Sequence, residues 1–282
     1  MRRNELLITG ANGFLARAVV RQMCNDCQKY SNWQLTALVR TGTSTTSHFH
    51  TTYASVDNLI SDLDRVDVVM HLAACIPSPL SAAPPELMPV NVDLVAKLVH
   101  AFPDARHVLA SSVSIYGVPV SLPLTIASPP CQPTAYGLSK LSAECLVRKM
   151  PQHAVIRFSS LIGVGMKGGS FIPSVVSAAR AGKIHLLGNG ERLQNYLDID
   201  DAASMCLQAA ICKKSFVALG IGERSYSNNE VACILAELTG ASIVREGDDH
   251  SSSYVYEFRD SIVLAKRRVN LKESLEKMVH QA

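Results

Sequence analysis

The sequence of 282 residues predicts an α/β fold, a doubly wound parallel sheet with a smaller C-terminal lobe, on three observations. Short β-branched runs alternate with helical patterns up to residue 158, a glycine-rich turn joins the first run to the first helix, and the rhythm breaks beyond residue 158. A composition that is 48% hydrophobic supplies the core such a fold needs.

Taken in order, ELLIT reads as the first strand and Gly13 to Cys24 as the first helix. LTALV and VDVVMHL follow as strands, Pro84 to Ala101 as a helix, ARHVLAS as a strand, Thr134 to Met150 as a helix and HAVIRF as a strand. Parallel strands need crossovers, and helices in those crossovers cover both faces of the sheet. Two linkers are long, 41–52 (TGTSTTSHFHTT) and 117–134 (GVPVSLPLTIASPPCQPT), and such loops gather at the ligand end of these sheets. Past LIGVGMKGGS the pattern gives a helix over 170–182, IHLL, DIDDAASMCLQAA, SFVALG, a helix from Ser227 and a last helix from Leu271.

Charge and spacing exclude several classes of function. The net charge of +3 comes without a Lys/Arg run, so no nucleic-acid partner is expected. No apolar run approaches the roughly 18 residues of a membrane span, and MRRN leads straight into a strand, so a cytoplasmic protein without a membrane partner is expected. The eight cysteines read as thiols; Cys24 and Cys27 have redox or zinc spacing but no second such pair. Nine histidines carry no HExxH spacing, and no metal is expected.

The turn TGANGFLA, residues 9–16, lies between strand and helix, where a dinucleotide fingerprint belongs. Gly10 permits the tight turn, Gly13 lets backbone amides near a pyrophosphate, and Ala16 lets helix and strand pack closely, with Asn12, Phe14 and Leu15 completing the loop. At the end of the second strand an NAD site offers a carboxylate to the ribose, but this chain has Arg40 in LTALVRTGTS. A guanidinium suits a 2′-phosphate, with Thr41, Thr43 and Ser44 as hydroxyl donors, so NADP(H) is favoured and NAD(H) stays open. In TAYGLSK, Tyr136 and Lys140 are four apart and share a helical face, which by itself fits a solvated pair as well as a site.

With TGANGFLA, HLAA (71–74), ASSVSIYG (110–117) and YGLSK in this order, the chain resembles the extended short-chain dehydrogenase/reductase family, in its nucleotide-sugar epimerase, dehydratase and reductase branch. The likeness runs nearly end to end. It implies a Rossmann domain over 1–158, to which 196–219 returns, a mainly substrate-binding lobe over 159–282, and a homodimer. It implies Ser112, Tyr136 and Lys140 as the catalytic set: Tyr136 transfers the proton, Ser112 bonds the same oxygen, and Lys140 holds the ribose hydroxyls and, together with the positive nicotinamide, draws the phenol pKa toward neutrality. Leu72, Ala73 and Ala74 would run under the cofactor, Asn91 would tie helix to sheet beside it, and Ser78 would lie in a loop toward the substrate.

Departures narrow the expected chemistry. Dehydratases of the branch carry an Asp-Glu pair where this chain has Val113 and Ser114. A diphosphate-contacting asparagine is replaced by Ser160, and a phosphate-binding arginine by Gln194, with Arg192 two residues earlier. The expected function is an NADP(H)-dependent oxidoreductase reducing a keto group, the 4-keto group of a nucleotide-activated 6-deoxyhexose. A nucleotide-sugar 4-epimerase retaining NAD(P) and an NADPH-dependent reductase of a non-nucleotide ketone or aldehyde stay as alternatives. A non-catalytic NADP-sensing regulator is disfavoured because Tyr136 and Lys140 are both present.

Overall fold

A computed structural model describes residues 3–43, 45, 48–263 and 268–280; Ser44 lies outside the described residues. The chain opens with β1 (Asn4–Thr9), α1 (Phe14–Asn25), β2 (Trp33–Leu38), β3 (Thr51–Tyr53), α2 (Val56–Asp62) and β4 (Val68–His71). A π-turn over Pro89–Asp93 leads into α3 (Leu94–Ala101), followed by β5 (Arg106–Ser112), a 3₁₀ turn over Val113–Tyr116, α4 (Ala135–Val147) and β6 (His153–Phe158). Then come β7 (Ser160–Ile162), α5 (Phe171–Arg180), β8 (Lys183–Leu187), β9 (Leu193–Asp198), α6 (Ile199–Ile211), β10 (Phe216–Gly220), β11 (Ser225–Ser227), α7 (Asn228–Thr239), β12 (Ser242–Glu246) and α8 (Leu271–His280).

Seven strands form one sheet in the order β10-β6-β5-β4-β1-β2-β3, and every neighbouring pair is parallel. Strand order reverses between β1 and β4, so the crevice at their C-terminal ends is the switch point where such sheets hold ligands. On one face, α1 packs on α6, whose Ala202, Ala203, Ala209 and Ala210 allow close approach. Other clusters join α2 and α3 to the sheet through Leu59 and Leu98, and α3 and α4 through Val95 and Val147.

The C-terminal segment builds two further sheets, β11-β9-β7 and β12-β8, around a core in which Val176, Ile184, Leu235 and Leu275 meet. A capping box starts α7: Ser227 Oγ accepts from the Glu230 amide at 3.0 Å, and Glu230 Oε2 accepts from the Ser227 amide at 2.7 Å. β10 and α6 belong to the main sheet and its cover, so the chain crosses between the two parts more than once.

Two elements differ from the sequence reading for local reasons. The helix expected from Pro84 starts only at the π-turn, with Pro89 in its first turn, where a missing N–H costs nothing. The run AVIRFSSLIGVG breaks at Ser159, whose amide donates to the Gly220 carbonyl, so β6 stays in the main sheet while β7 joins β9.

At the first turn, Gly10 has φ +64°, and a Cβ there would lie 2.6 Å from Ala73 Cα. Thr9 clamps the same junction: its Oγ1 accepts from the amides of Leu72 at 3.1 Å and Ala73 at 3.0 Å. Substituting Gly10→Ala is therefore expected to destabilise the fold by more than about 1 kcal/mol, read as a lowered denaturant midpoint. A midpoint equal to wild type would mean that this junction has slack.

Candidate functional site

The C-terminal ends of β1, β4 and β5 and the start of α4 converge at the switch point. Gly13 is the N-cap of α1 and makes no side-chain cap bond, and the helix's first turn has no acidic residue. Gly13 has no side chain to occupy the leading amides, and Asn12 and Gly13 are exposed beside them, which fits a pyrophosphate. Phe14 is half-buried and Leu15 buried against the α1–α6 core. Leu72 and Ala73 are half-buried and Ala74 is exposed, directly after β4. Arg40 is exposed two residues past β2; its carbonyl accepts from Thr43 Oγ1 at 2.7 Å, and among the described residues nothing holds its guanidinium.

Ser112 ends β5 and caps the 3₁₀ turn: its Oγ accepts from the Ser114 amide at 3.1 Å and donates to Ser114 Oγ at 3.0 Å. Thr134 caps α4 by accepting from the Gly137 amide at 3.2 Å. A Cβ on Gly137 would lie 2.3 Å from the Ser114 carbonyl oxygen, so this glycine lets α4 press against the Ser112 turn. That approach brings the Tyr136 side chain close to Ser112, and Lys140 lies one helical turn on. Ser112, Tyr136 and Lys140 thus sit together.

Both α4 side chains are deeply buried, Tyr136 7% and Lys140 3% exposed. Burial pushes the Tyr136 phenol up to about 12, against a smaller lowering by Ser112, and nearby Cys75 adds to the rise. The acidification expected from Lys140 together with a nicotinamide is not present in the chain alone, where desolvation dominates and the phenol stays protonated at neutral pH. Burial likewise brings Lys140 down to about 8, with the Glu144 carboxylate opposing.

Asn91 is buried and engaged with protein. Its Oδ1 accepts from the Cys75 amide at 2.7 Å, while its Nδ2 donates to the Cys75 carbonyl at 3.0 Å and to Ser139 Oγ at 2.8 Å. Ser139 Oγ in turn donates to the Tyr136 carbonyl at 2.8 Å. Asn91 thereby ties the loop after β4 to the tyrosine helix rather than presenting its amide to a ligand.

Behind the loop, His71 Nε2 and His107 Nδ1 are 2.9 Å apart, and His107 Nε2 lies 2.9 Å from the Phe102 carbonyl. The carbonyl only accepts, so His107 donates to it and receives from His71, which leaves His71 Nδ1 a buried acceptor. Burial first, then His107 and Lys140, hold His71 well below the ordinary histidine pKa.

A cavity of about 250 Å³ lies beside this cluster. Ser160, Arg192 and Gln194 all line it, together with Ser114, Thr134 and Tyr254, which the sequence reading missed. Arg192 Nε donates to the Ser252 carbonyl at 3.2 Å, and Gln194 Nε2 to Asn228 Oδ1 at 3.3 Å. Arg192 also faces a second cavity of about 460 Å³, which adds Arg245. Ser78 is exposed in the loop after β4, and Leu80, not Ser78, reaches the smaller cavity. Ser114 was detectable as the second serine of the SVS triplet, and Thr134 as a capping residue before a helix.

Among the described residues no cluster of three His, Cys, Asp or Glu side chains forms a metal-ligand set, and no helix is long and apolar enough to cross a membrane.

The family model for the NAD dependent epimerase/dehydratase family matches residues 6–217. A UDP-glucose 4-epimerase of Lactobacillus helveticus is 25% identical over 218 residues, 67% of this chain and 66% of that protein. An uncharacterized protein y4nG of Sinorhizobium fredii is 28% identical over 127 residues, 43% of this chain and 31% of its own length, so the chain matches less than two thirds of either relative. Among solved structures, MoeE5 in complex with UDP-glucose and NAD superposes with a TM-score of 0.81 at 25% identity, covering 98% of this chain and 97% of that one. In fold alone, the UDP-N-acetylglucosamine 4-epimerase from Methanobrevibacter ruminantium reaches a TM-score of 0.83 at 18% identity, over 99% and 98% of the two chains. The chain belongs to the NAD dependent epimerase/dehydratase family, enzymes of the extended short-chain dehydrogenase/reductase type.

Proposed function

We propose that the protein is a nucleotide-sugar oxidoreductase that works at a secondary alcohol or keto carbon, with Tyr136 as the proton-transferring residue. The observation that carries this reading is the close packing of α4, with buried Tyr136 and Lys140 one turn apart, on the turn that Ser112 opens at the switch point of the sheet. A nicotinamide dinucleotide held by the Gly10–Gly13 turn supplies or accepts the hydride. Tyr136, protonated at neutral pH, donates to the oxygen of the reduced carbon, and Ser112 bonds the same oxygen and fixes its distance. Lys140 binds the ribose hydroxyls. Dehydration is not proposed, since Val113 and Ser114 stand where an acid pair would be needed.

Two reactions use this set. The 4-epimerase reading retains the cofactor and needs Tyr136 as a phenolate, which the positive charge of a bound oxidised nicotinamide would favour, to take the sugar's hydroxyl proton and later return it; it is favoured by the named relatives, one a UDP-glucose 4-epimerase and one bound to UDP-glucose and NAD. The reductase reading consumes NADPH on a nucleotide-linked 4-keto-6-deoxyhexose, and exposed Arg40 favours it as a partner for a 2′-phosphate. In both, Arg192, facing both cavities, is the proposed contact to the substrate diphosphate.

The readings separate in one pair of assays. Purified protein with UDP-glucose and no added cofactor is expected to form the 4-epimer if it is an epimerase; with NADPH and a dTDP-4-keto-6-deoxyhexose, loss of 340 nm absorbance marks the reductase. Under whichever reaction is found, Tyr136→Phe is expected to reduce turnover by about 10² to 10⁴-fold while cofactor binding persists. Retained turnover would refute the assigned role. Arg192→Ala is expected to raise KM for the nucleotide-sugar by roughly tenfold or more, and an unchanged KM removes this residue from the binding site. Arg40→Ala is expected to weaken NADPH by roughly tenfold and leave NADH unaffected; equal effects on both would count against the 2′-phosphate contact.

A further inference from the structure

We infer that Ser114 is a specificity-determining residue of the site: its hydroxyl, joined to that of Ser112, binds the substrate oxygen on the carbon next to the reacting one, the 3-hydroxyl of a sugar that reacts at C4. This rests on the reading of the reaction as one at the 4-position of a nucleotide-sugar.

Ser114 is half-buried in the 3₁₀ turn Val113–Tyr116 and lines the cavity of about 250 Å³. Its backbone is fixed at three points. The amide donates to Ser112 Oγ at 3.1 Å, the carbonyl accepts from the Gly117 amide at 3.3 Å, and α4 presses on that carbonyl where Gly137 has no side chain. The next two side chains, Ile115 and Tyr116, are each 1% exposed and anchor the turn in the core. A turn capped by serine is complete with the bond from amide to hydroxyl alone. The second contact, from Ser112 Oγ to Ser114 Oγ at 3.0 Å, is not needed for the turn, and it leaves Ser114 with its own proton to give.

The spacing selects the ligand. Two hydroxyl oxygens 3.0 Å apart match the separation of neighbouring oxygens on a pyranose ring, so a pair that sets Ser112 on the reacting oxygen sets Ser114 on the adjacent one. Of the carbons beside C4 in a hexose, C3 bears a hydroxyl and C5 bears the ring oxygen, so the adjacent partner is the 3-hydroxyl. Other polar groups of the cavity are engaged with protein: Asn195 Oδ1 accepts from Ser159 Oγ at 2.8 Å, and Thr134 Oγ1 accepts from the Gly137 amide at 3.2 Å. Ser114 is the cavity residue that bonds Ser112. A fixed hydroxyl of this kind disfavours a substrate that lacks its partner, because the protein group is then left unpaired.

The test crosses the variant with the substrate. Full-length wild type, Ser114→Ala and Ser114→Thr are each assayed with UDP-glucose or the dTDP-4-keto-6-deoxyhexose, whichever is turned over, and with the 3-deoxy analogue of that sugar. Wild type is expected to lose about tenfold or more in kcat/KM on the analogue, and Ser114→Ala to lose a similar factor on the parent sugar. Ser114→Ala is then expected to treat parent and analogue nearly alike, since both changes remove one interaction. Ser114→Thr keeps the hydroxyl and is expected to keep the preference for the parent sugar. Each ratio is read on one protein sample, so a variant that is partly unfolded still decides. A serine that serves only the turn would leave the ratio of parent to analogue in Ser114→Ala as large as in wild type, and that result overturns the inference, as does wild type that turns over both sugars equally. Failure of the underlying reading looks different: wild type turns over neither parent sugar, or Tyr136→Phe keeps its turnover, and the inference falls with it.

Discussion

The site depends on burying a phenol and an ammonium on one turn of helix against the end of a strand. Taking Lys140 out of water is costly unless an opposite charge and hydrogen bonds replace its hydration. One turn along α4 a second buried charge, Glu144, is matched by Arg157 on β6 and Ser111 on β5. Gly137 removes the side chain that would keep α4 away from the Ser114 carbonyl, and Asn91 fixes the other flank through Ser139. The same desolvation keeps the Tyr136 phenol protonated.

The parallel sheet decides where this burial is placed. Reversal of strand order between β1 and β4 opens a crevice, and Thr9, by accepting from two amides of the loop after β4, sets its floor. The C-terminal part is tied to the sheet side by buried polar contacts. The Val269 amide donates to Asp201 Oδ2 at 2.7 Å, Ser274 Oγ donates to Asp198 Oδ2 at 2.6 Å, and Arg268 donates to the carbonyls of Ile221 and Ile262. These bonds hold β9, and with it Gln194, against the cavity wall, next to Ser160 on β7.

The fold class and the four-apart pair were legible because each rests on local pattern. ELLIT running into TGANGFLA is a strand, a turn and a helix start in the twelve residues 5–16, and no distant contact is needed to read it. What escaped the reading depends on tertiary approach. Glu144 falls in SAECLV, where a glutamate looks like the polar side of a surface helix, yet it is fully buried because Arg157 reaches it from a different element. Arg157 itself sits in HAVIRF, a run that otherwise reads as an apolar core strand. The rise in the Tyr136 pKa was illegible for the same reason: the sequence displays a lysine four residues away but not the burial. Arg40 was read from its place after the second strand, and its exposure leaves it available to a cofactor.

The central claim is that Lys140 and Tyr136 face one bound nicotinamide nucleotide. A crystal structure of the full chain grown with NADH tests it most directly. The account predicts the pyrophosphate on the Gly10–Gly13 turn, Lys140 Nζ within hydrogen-bond reach of the nicotinamide ribose hydroxyls, and the ring beside the Tyr136 hydroxyl. A nucleotide seated in the crevice with its ring turned from α4, and Lys140 touching only protein, would contradict it.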